Sequence, residues 1–189
     1  MRRVALEDQT AFASLYDRHH RSVARFAHRF VGDAARAEEL TQDIFVKLYR
    51  HAGRYRPTAR FKTFLFKVAA NHCLNEVRRS EYRVAHVRED PEDGRPLEVP
   101  APDAESPHRA MEGRELEAAV AEAMAHLSDR ERTAFTLCRF EGMAYRDIAE
   151  VLSASEAAVK SLIHRATLSV AHAVDRWNSG AEAPARSRA

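Results

Sequence analysis

The sequence predicts an all-α protein of two small helical domains, and three observations carry that prediction. Apolar residues recur at steps of three and four and never alternate as a strand would. Helix stop and start residues fall between the successive apolar runs. An acidic, proline-rich stretch divides the 189 residues into two helical blocks.

The first helix shows in Phe12, Tyr16, His19, Val23, Phe26 and Phe30, which share one face. Gly32 is placed to end it, because glycine tolerates positive φ. Asp33 then reads as the N-cap of a second helix, lined by Ala37, Leu40, Ile44 and Leu48. Gly53 and Pro57 mark a loop. A third helix is expected from about Arg60–Thr63 to about Tyr82, with Phe66, Ala70, Cys73 and Val77 inward.

The stretch from Glu89 to Pro107 holds five of the seven prolines, Gly94 and almost no large apolar side chain. Such a composition buries too little surface to offset chain entropy, so it reads as a flexible linker. The expected layout is a domain over 1–85, a linker over 86–107, a second domain over 108–178 and a frayed tail over 179–189. In the second domain, Ser106-Pro107 is a helix start signal, and Leu116, Val120, Ala123 and Leu127 line that helix. Ser128-Asp129-Arg130-Glu131 fits a capping box that opens another helix, ended near Gly142. A short helix follows from Tyr145 to Leu152, then the turn Ser153-Ala154-Ser155, then a long helix from Glu156. Its inward stripe is Val159, Ile163, Ala166, Val170, Ala173 and Trp177.

The net charge is only +2, which at first argues against a nucleic-acid partner. Residues 1–80, however, carry 16 basic and 8 acidic side chains, a net +8. Residues 81–117 carry a net −6, and the remainder is neutral. A basic block tied to an acidic tether points to a nucleic-acid surface. No apolar run is long enough to cross a membrane, and the N-terminus shows no secretory h-region. Two cysteines cannot form a disulfide framework, so a reduced, cytoplasmic protein is expected. Cys73 and Cys138 sit on or beside apolar lines and read as structural thiols. The histidines show no ligand spacing; His19 and His20 diverge by about 100° on a helix. Neither a nucleophile–base pair nor a phosphate-cradling glycine loop stands out, so neither an enzyme nor a cofactor is expected.

Three surfaces remain as functional candidates. Tyr145–Arg165 has the helix–turn–helix arrangement, and its second helix presents Glu156, Ala157, Lys160, Ser161, His164 and Arg165 outward. Lys and Arg on such a face can reach guanine acceptors or phosphates in the major groove. On the third helix, Phe64, Lys67, Asn71, Asn75 and Arg78 share a face, with Arg60 and Lys62 just before it. Aromatic rings stack on unpaired bases, cations hold the backbone, and amides read the edges of extruded bases. On the second helix, Glu38, Glu39, Gln42 and Asp43 cluster around Leu40 and Phe45, an acidic-apolar surface suited to a protein partner.

These elements, in this order, resemble the bacterial sigma factors of RNA polymerase, and the two-domain layout looks like their extracytoplasmic-function group. Ala37–Phe45 is similar to the family's polymerase-docking segment, Phe61–Arg79 to its −10-reading segment, and Leu127–Leu168 to its −35-reading region. The resemblance covers about residues 11–85 and 111–175. It implies that Glu39, Gln42, Asp43 and Phe45 dock on the β′ clamp helices of core polymerase, with the β flap a further contact. It implies a −10 surface of Arg60, Lys62, Phe64, Lys67, Asn71, Asn75, Arg78 and Arg79, with Asn71 at the base pocket. It implies a −35 surface of Tyr145, Lys160, Ser161, His164 and Arg165. The partners implied are core polymerase, promoter DNA and an anti-sigma factor. The sequence departs from the family pattern at Phe64, where Trp is frequent, and at Ser153, where Gly is usual. Leu162 and Thr167 also stand where cations are common, which implies a weaker −35 contact. The acidic linker, by the same resemblance, would enter the polymerase cleft in place of RNA. An ordinary two-domain regulator acting without polymerase is the alternative reading, and a docking protein using only the second helix is a third.

Overall fold

The computed structural model describes residues 1–55, 60–86, 116 and 118–179. Every regular element among them is helical. Pro57, the Ser106-Pro107 start, the tail from 180 and all of the expected linker except His86 lie outside the described residues.

A short 3₁₀ turn (Val4–Leu6) precedes helix α1 (Gln9–Val31). The Asp8 carboxylate starts α1 by accepting from the Ala11 N–H at 2.9 Å, and that bond, with Arg3 nearby, lowers its pKa. Gly32 ends the helix at φ 70°, as the sequence predicts. Asp33 then caps α2 (Ala34–Arg50), accepting from the Arg36 N–H at 2.6 Å. A second 3₁₀ turn (Ala52–Arg54) leads toward α3 (Phe61–His86), which runs four residues past the expected end. Each helix in this module turns a fully buried line toward the others: Phe26 from α1, Leu40 and Ile44 from α2, Phe66 and Cys73 from α3. Phe26 meets Phe66 edge to face at 5.4 Å, which joins α1 to α3. Arg36 ties α2 to α3 by pairing with the buried Glu76, and that hydrogen bond raises its pKa.

The second module comprises α4 (residues 118–125), α5 (Asp129–Arg139), α6 (Tyr145–Leu152) and α7 (Glu156–Asn178). Both halves of the Ser128–Glu131 capping box form at the start of α5. Gly142 takes positive φ in the turn after it. The bounds of α6 agree with the expectation. Between α6 and α7 the turn places Ser153 at φ 49°, ψ 53°, and Ser155 caps α7 by accepting from the Ala158 N–H at 3.2 Å. Val159, Ile163, Ala166 and Ala173 are buried, whereas Val170 and Trp177 are half-buried.

The two modules pack on each other. A single cluster of buried apolar side chains runs from Val23, Phe26 and Phe66 into Leu137, Met143, Ile148 and Val159. α3 lies against α6, so the helix expected to face the −10 strand has the helix–turn–helix module beside its first turns.

Candidate nucleic-acid interface and polymerase-docking surface

The period of α3 decides which side chains can share a ligand. With the line through Phe66, Ala70 and Cys73 in the core, Lys67, Asn71, Asn75, Arg78 and Arg79 come out on the exposed side. Phe64 is half-buried and holds Tyr55 edge-on at 5.0 Å. Next to this face lies a cavity of about 390 Å³ between α2 and α3. Asn71, Asn75 and Phe64 line one side of it, Lys47, Leu48 and His51 the other. An aromatic edge, two amides and a cation around a cavity of this size suit a planar heterocycle taken out of its stack.

Lys47, His51 and His72 are the residues that sequence reasoning missed at this site. The spacing of Lys47 and His51, four apart on α2, was the available signal, but nothing in the sequence says that α2 supplies a wall. His72 is held between the two helices. Its Nδ1 accepts from the Lys47 ammonium, so the ring proton sits on Nε2, 3.4 Å from Asp43 Oδ2. Burial, reinforced by Lys47, lowers its pKa against the opposing pull of Asp43 and Glu76. His72 thus lies between Asp43 of α2 and its own chain neighbour Asn71.

On α2, Glu39, Gln42 and Asp43 are exposed, with Glu39 paired to Arg36 at 2.5 Å. Phe45 corrects the expectation. It is 2% exposed, packed between Tyr16 at 4.8 Å and Phe12 at 6.4 Å, and cannot touch a partner without dismantling the core. The apolar residue on the acidic face is instead Val46, 44% exposed and one turn after Gln42 and Asp43.

Arg60 and Lys62 are placed differently from the rest of the −10 set. The Lys62 ammonium donates to the Glu141 carbonyl at 2.6 Å and lies 3.1 Å from its carboxylate. Arg60 stands 4.0 Å from Asp147 on α6. Both cations therefore face the other module.

In the helix–turn–helix, Lys160, Ser161, His164 and Arg165 are all exposed along α7, and Tyr145 stands exposed at the head of α6. Arg165 is engaged by Glu131 at 2.6 Å, and Ser161 donates to the Ala157 carbonyl. The Ser128 hydroxyl, and Arg165 after it, depress the Glu131 pKa. Leu162 belongs to the core at 8% exposure. At this position the chain therefore carries an apolar side chain packed inward.

The two modules also match known proteins. Sigma-70 region 2 matches residues 15–83, and Sigma-70, region 4, matches residues 117–168. The chain is 35% identical over 176 residues to the RNA polymerase sigma-H factor of Pseudomonas aeruginosa, covering 87% of this chain and 86% of that one. It is 33% identical over 162 residues to the ECF RNA polymerase sigma factor SigK of Mycobacterium sp. strain KMS, covering 85% and 81%. In fold it is similar to the sigma factor RpoE of Bartonella quintana, solved with the anti-sigma factor NepR, at TM-score 0.67 and 19% identity over 87% of this chain and 97% of that one. It is also similar to CnrH, solved with the cytosolic domain of CnrY, at TM-score 0.67 and 24% identity over 92% and 93%. A helical module with a cation-and-amide face, followed by a helix–turn–helix, is the build of a two-headed transcription initiation factor. The chain belongs to the sigma-70 family of RNA polymerase sigma factors, in its extracytoplasmic-function group.

Proposed function

We propose that this chain gives core RNA polymerase its promoter specificity and opens the promoter by trapping an unpaired base in the α2–α3 cavity. The observation that carries the reading is that cavity, with Asn71, Asn75 and the edge of Phe64 on one wall and exposed cations beside it. Each stacked base contributes about 1–3 kcal/mol toward holding the strands apart. The acidic face of α2, with Glu39, Gln42, Asp43 and Val46, is the docking surface for the β′ clamp helices. The exposed row Lys160, Ser161, His164 and Arg165, with Tyr145 at its edge, reads the −35 duplex; the β flap is the polymerase contact of this module. The chain does no covalent chemistry of its own and acts in the cytoplasm, where polymerase and promoter meet. An anti-sigma factor as inhibitor is part of the same reading, supported by family membership.

Run-off transcription from genomic fragments with purified core polymerase tests this. The chain is expected to direct discrete start sites and to co-elute with core, and the Gln42→Ala, Asp43→Ala double variant to lose co-elution while keeping its helical content. Tight duplex binding with neither co-elution nor any start site would move the chain to the class of regulators that act without polymerase.

A further inference from the structure

Glu141 has no reason to be buried within its own module. It lies in the turn between α5 and α6, yet its side chain is only 4% exposed. The contacts that hold it come from the other module. Ser22 of α1 donates to its carboxylate at 2.6 Å, and Lys62 of α3 reaches both its carboxylate and its carbonyl. Two cation–π contacts cross the same boundary in opposite directions. The Arg29 guanidinium lies 3.8 Å from the Phe140 ring centroid, and that of Arg132 lies 5.5 Å from Phe30. Asp147 faces Arg60, and Met143 is buried in the shared apolar cluster.

We propose that the Arg60–Lys62 face of the N-terminal module is a docking surface for the α5–α6 turn of the same chain, with Glu141 occupying the place of a DNA phosphate, so that strand binding and this docking exclude each other. The proposal rests on the assignment of Arg60 and Lys62 to the promoter strand. The chemistry of the competition is direct. A carboxylate and a phosphodiester offer the same ligand to an ammonium, namely an anionic oxygen that accepts its N–H bonds. With Lys62 held against both the carbonyl and the carboxylate of Glu141, the α5–α6 turn lies where a strand would have to approach it. The contact is also reversible by design of its parts. Opening returns Glu141 and Lys62 to water, which recovers hydration that burial had removed, so the ion pair adds modest net strength and fixes register while the shared apolar cluster supplies the rest. A polyanion that binds only the open form shifts the population toward it. Ser22, Arg29 and Phe140 give the docking its register, since each meets one fixed partner across the boundary.

The test uses the full-length chain without polymerase. Dyes on Ser14→Cys and His172→Cys, in a Cys138→Ser background, report module separation by energy transfer. A labelled single-stranded oligodeoxythymidine is the binding probe. Glu141→Gln is compared with Glu150→Gln, which removes the same charge from an exposed site on α6. The closed form predicts high transfer in the parent chain, lower transfer in Glu141→Gln, and oligonucleotide affinity raised about five- to tenfold by that variant alone, at the lower end of couplings between sites. Ser22→Ala is expected to act in the same direction more weakly. Low transfer in the parent chain, or equal affinity gains from Glu141→Gln and Glu150→Gln, would overturn the proposal. Run-off activity with core polymerase separates the two claims. Loss of all start sites with the transfer result intact removes the promoter reading and leaves the docking; normal start sites with unchanged transfer do the reverse.

Discussion

The outward face of α3 and the outward face of α7 are both polar stripes on long helices, yet they are held in opposite ways. On α7, Lys160, Ser161 and His164 are exposed; Ser161 bonds only to the backbone of its own helix, and Arg165 is engaged by a carboxylate of its own module. On the N-terminal module, Asn71 and Asn75 border a cavity, while Arg60 and Lys62 face carboxylates of the partner module. A rigid duplex needs a convex helix presented at the surface. An unpaired base needs a recess with groups that replace its stack and its pairing edge. Under the proposed function the difference in shape matches a difference in substrate, and it makes the two faces separable by mutation.

The largest expected effect falls on the recess. Asn71→Ala with core polymerase is expected to lower run-off yield by at least about tenfold, the scale of losing one well-placed base contact, with core co-elution unchanged. Lys160→Ala is expected to act more gently. Duplex affinity should fall about equally on all sequences, and the slope of log affinity against log salt should drop by roughly one, as for a phosphate contact. A change confined to one base position would instead make Lys160 a base reader.

Smaller effects probe how each face is supported. Ser153 holds a left-handed conformation without being glycine, so Ser153→Gly is expected to stabilise the chain by about 0.5–1 kcal/mol in urea unfolding. Duplex affinity should not change, because Ser153 lies in the turn and not on the outward row. Two half-buried histidines, His72 beside the recess and His19 on α1, carry the pH dependence. Burial first, then Lys47, depresses His72 below its ordinary 6.5, against the opposing pull of Asp43 and Glu76. Burial first, then Arg18 and Lys62, depresses His19 against Glu141. The unfolded chain then binds more protons than the folded one. Stability is expected to be level above about pH 6.5 and to fall as pH drops through that value toward the folded pKa values. Urea midpoints taken across that range should show a shallower fall in His72→Asn.

Much of this was legible in the sequence because it is local. Gly32, Asp33, the Ser128–Glu131 box and the bounds of α6 each depend on neighbours within one helical turn, and all four appear as expected. The spacing of Lys67, Asn71 and Asn75 likewise needs only the period of one helix. Phe45 was misread because its place next to acidic residues says nothing about rotation of α2, whereas its steps from Leu48 and Thr41, both buried, put it inward. The far wall of the recess was not legible at all. Lys47 and His51 meet Asn71 only because α2 and α3 pack together there, and Glu141 meets Lys62 across 79 residues of chain.

The central claim is a division of labour between the two faces, and permanganate reactivity of −10 thymines in complexes with core polymerase tests it most directly. The recess account predicts that Asn71→Ala holoenzyme occupies the promoter but leaves those thymines unreactive, whereas Lys160→Ala occupies fewer promoters and opens each one normally. Normal thymine reactivity in Asn71→Ala at equal occupancy would contradict it.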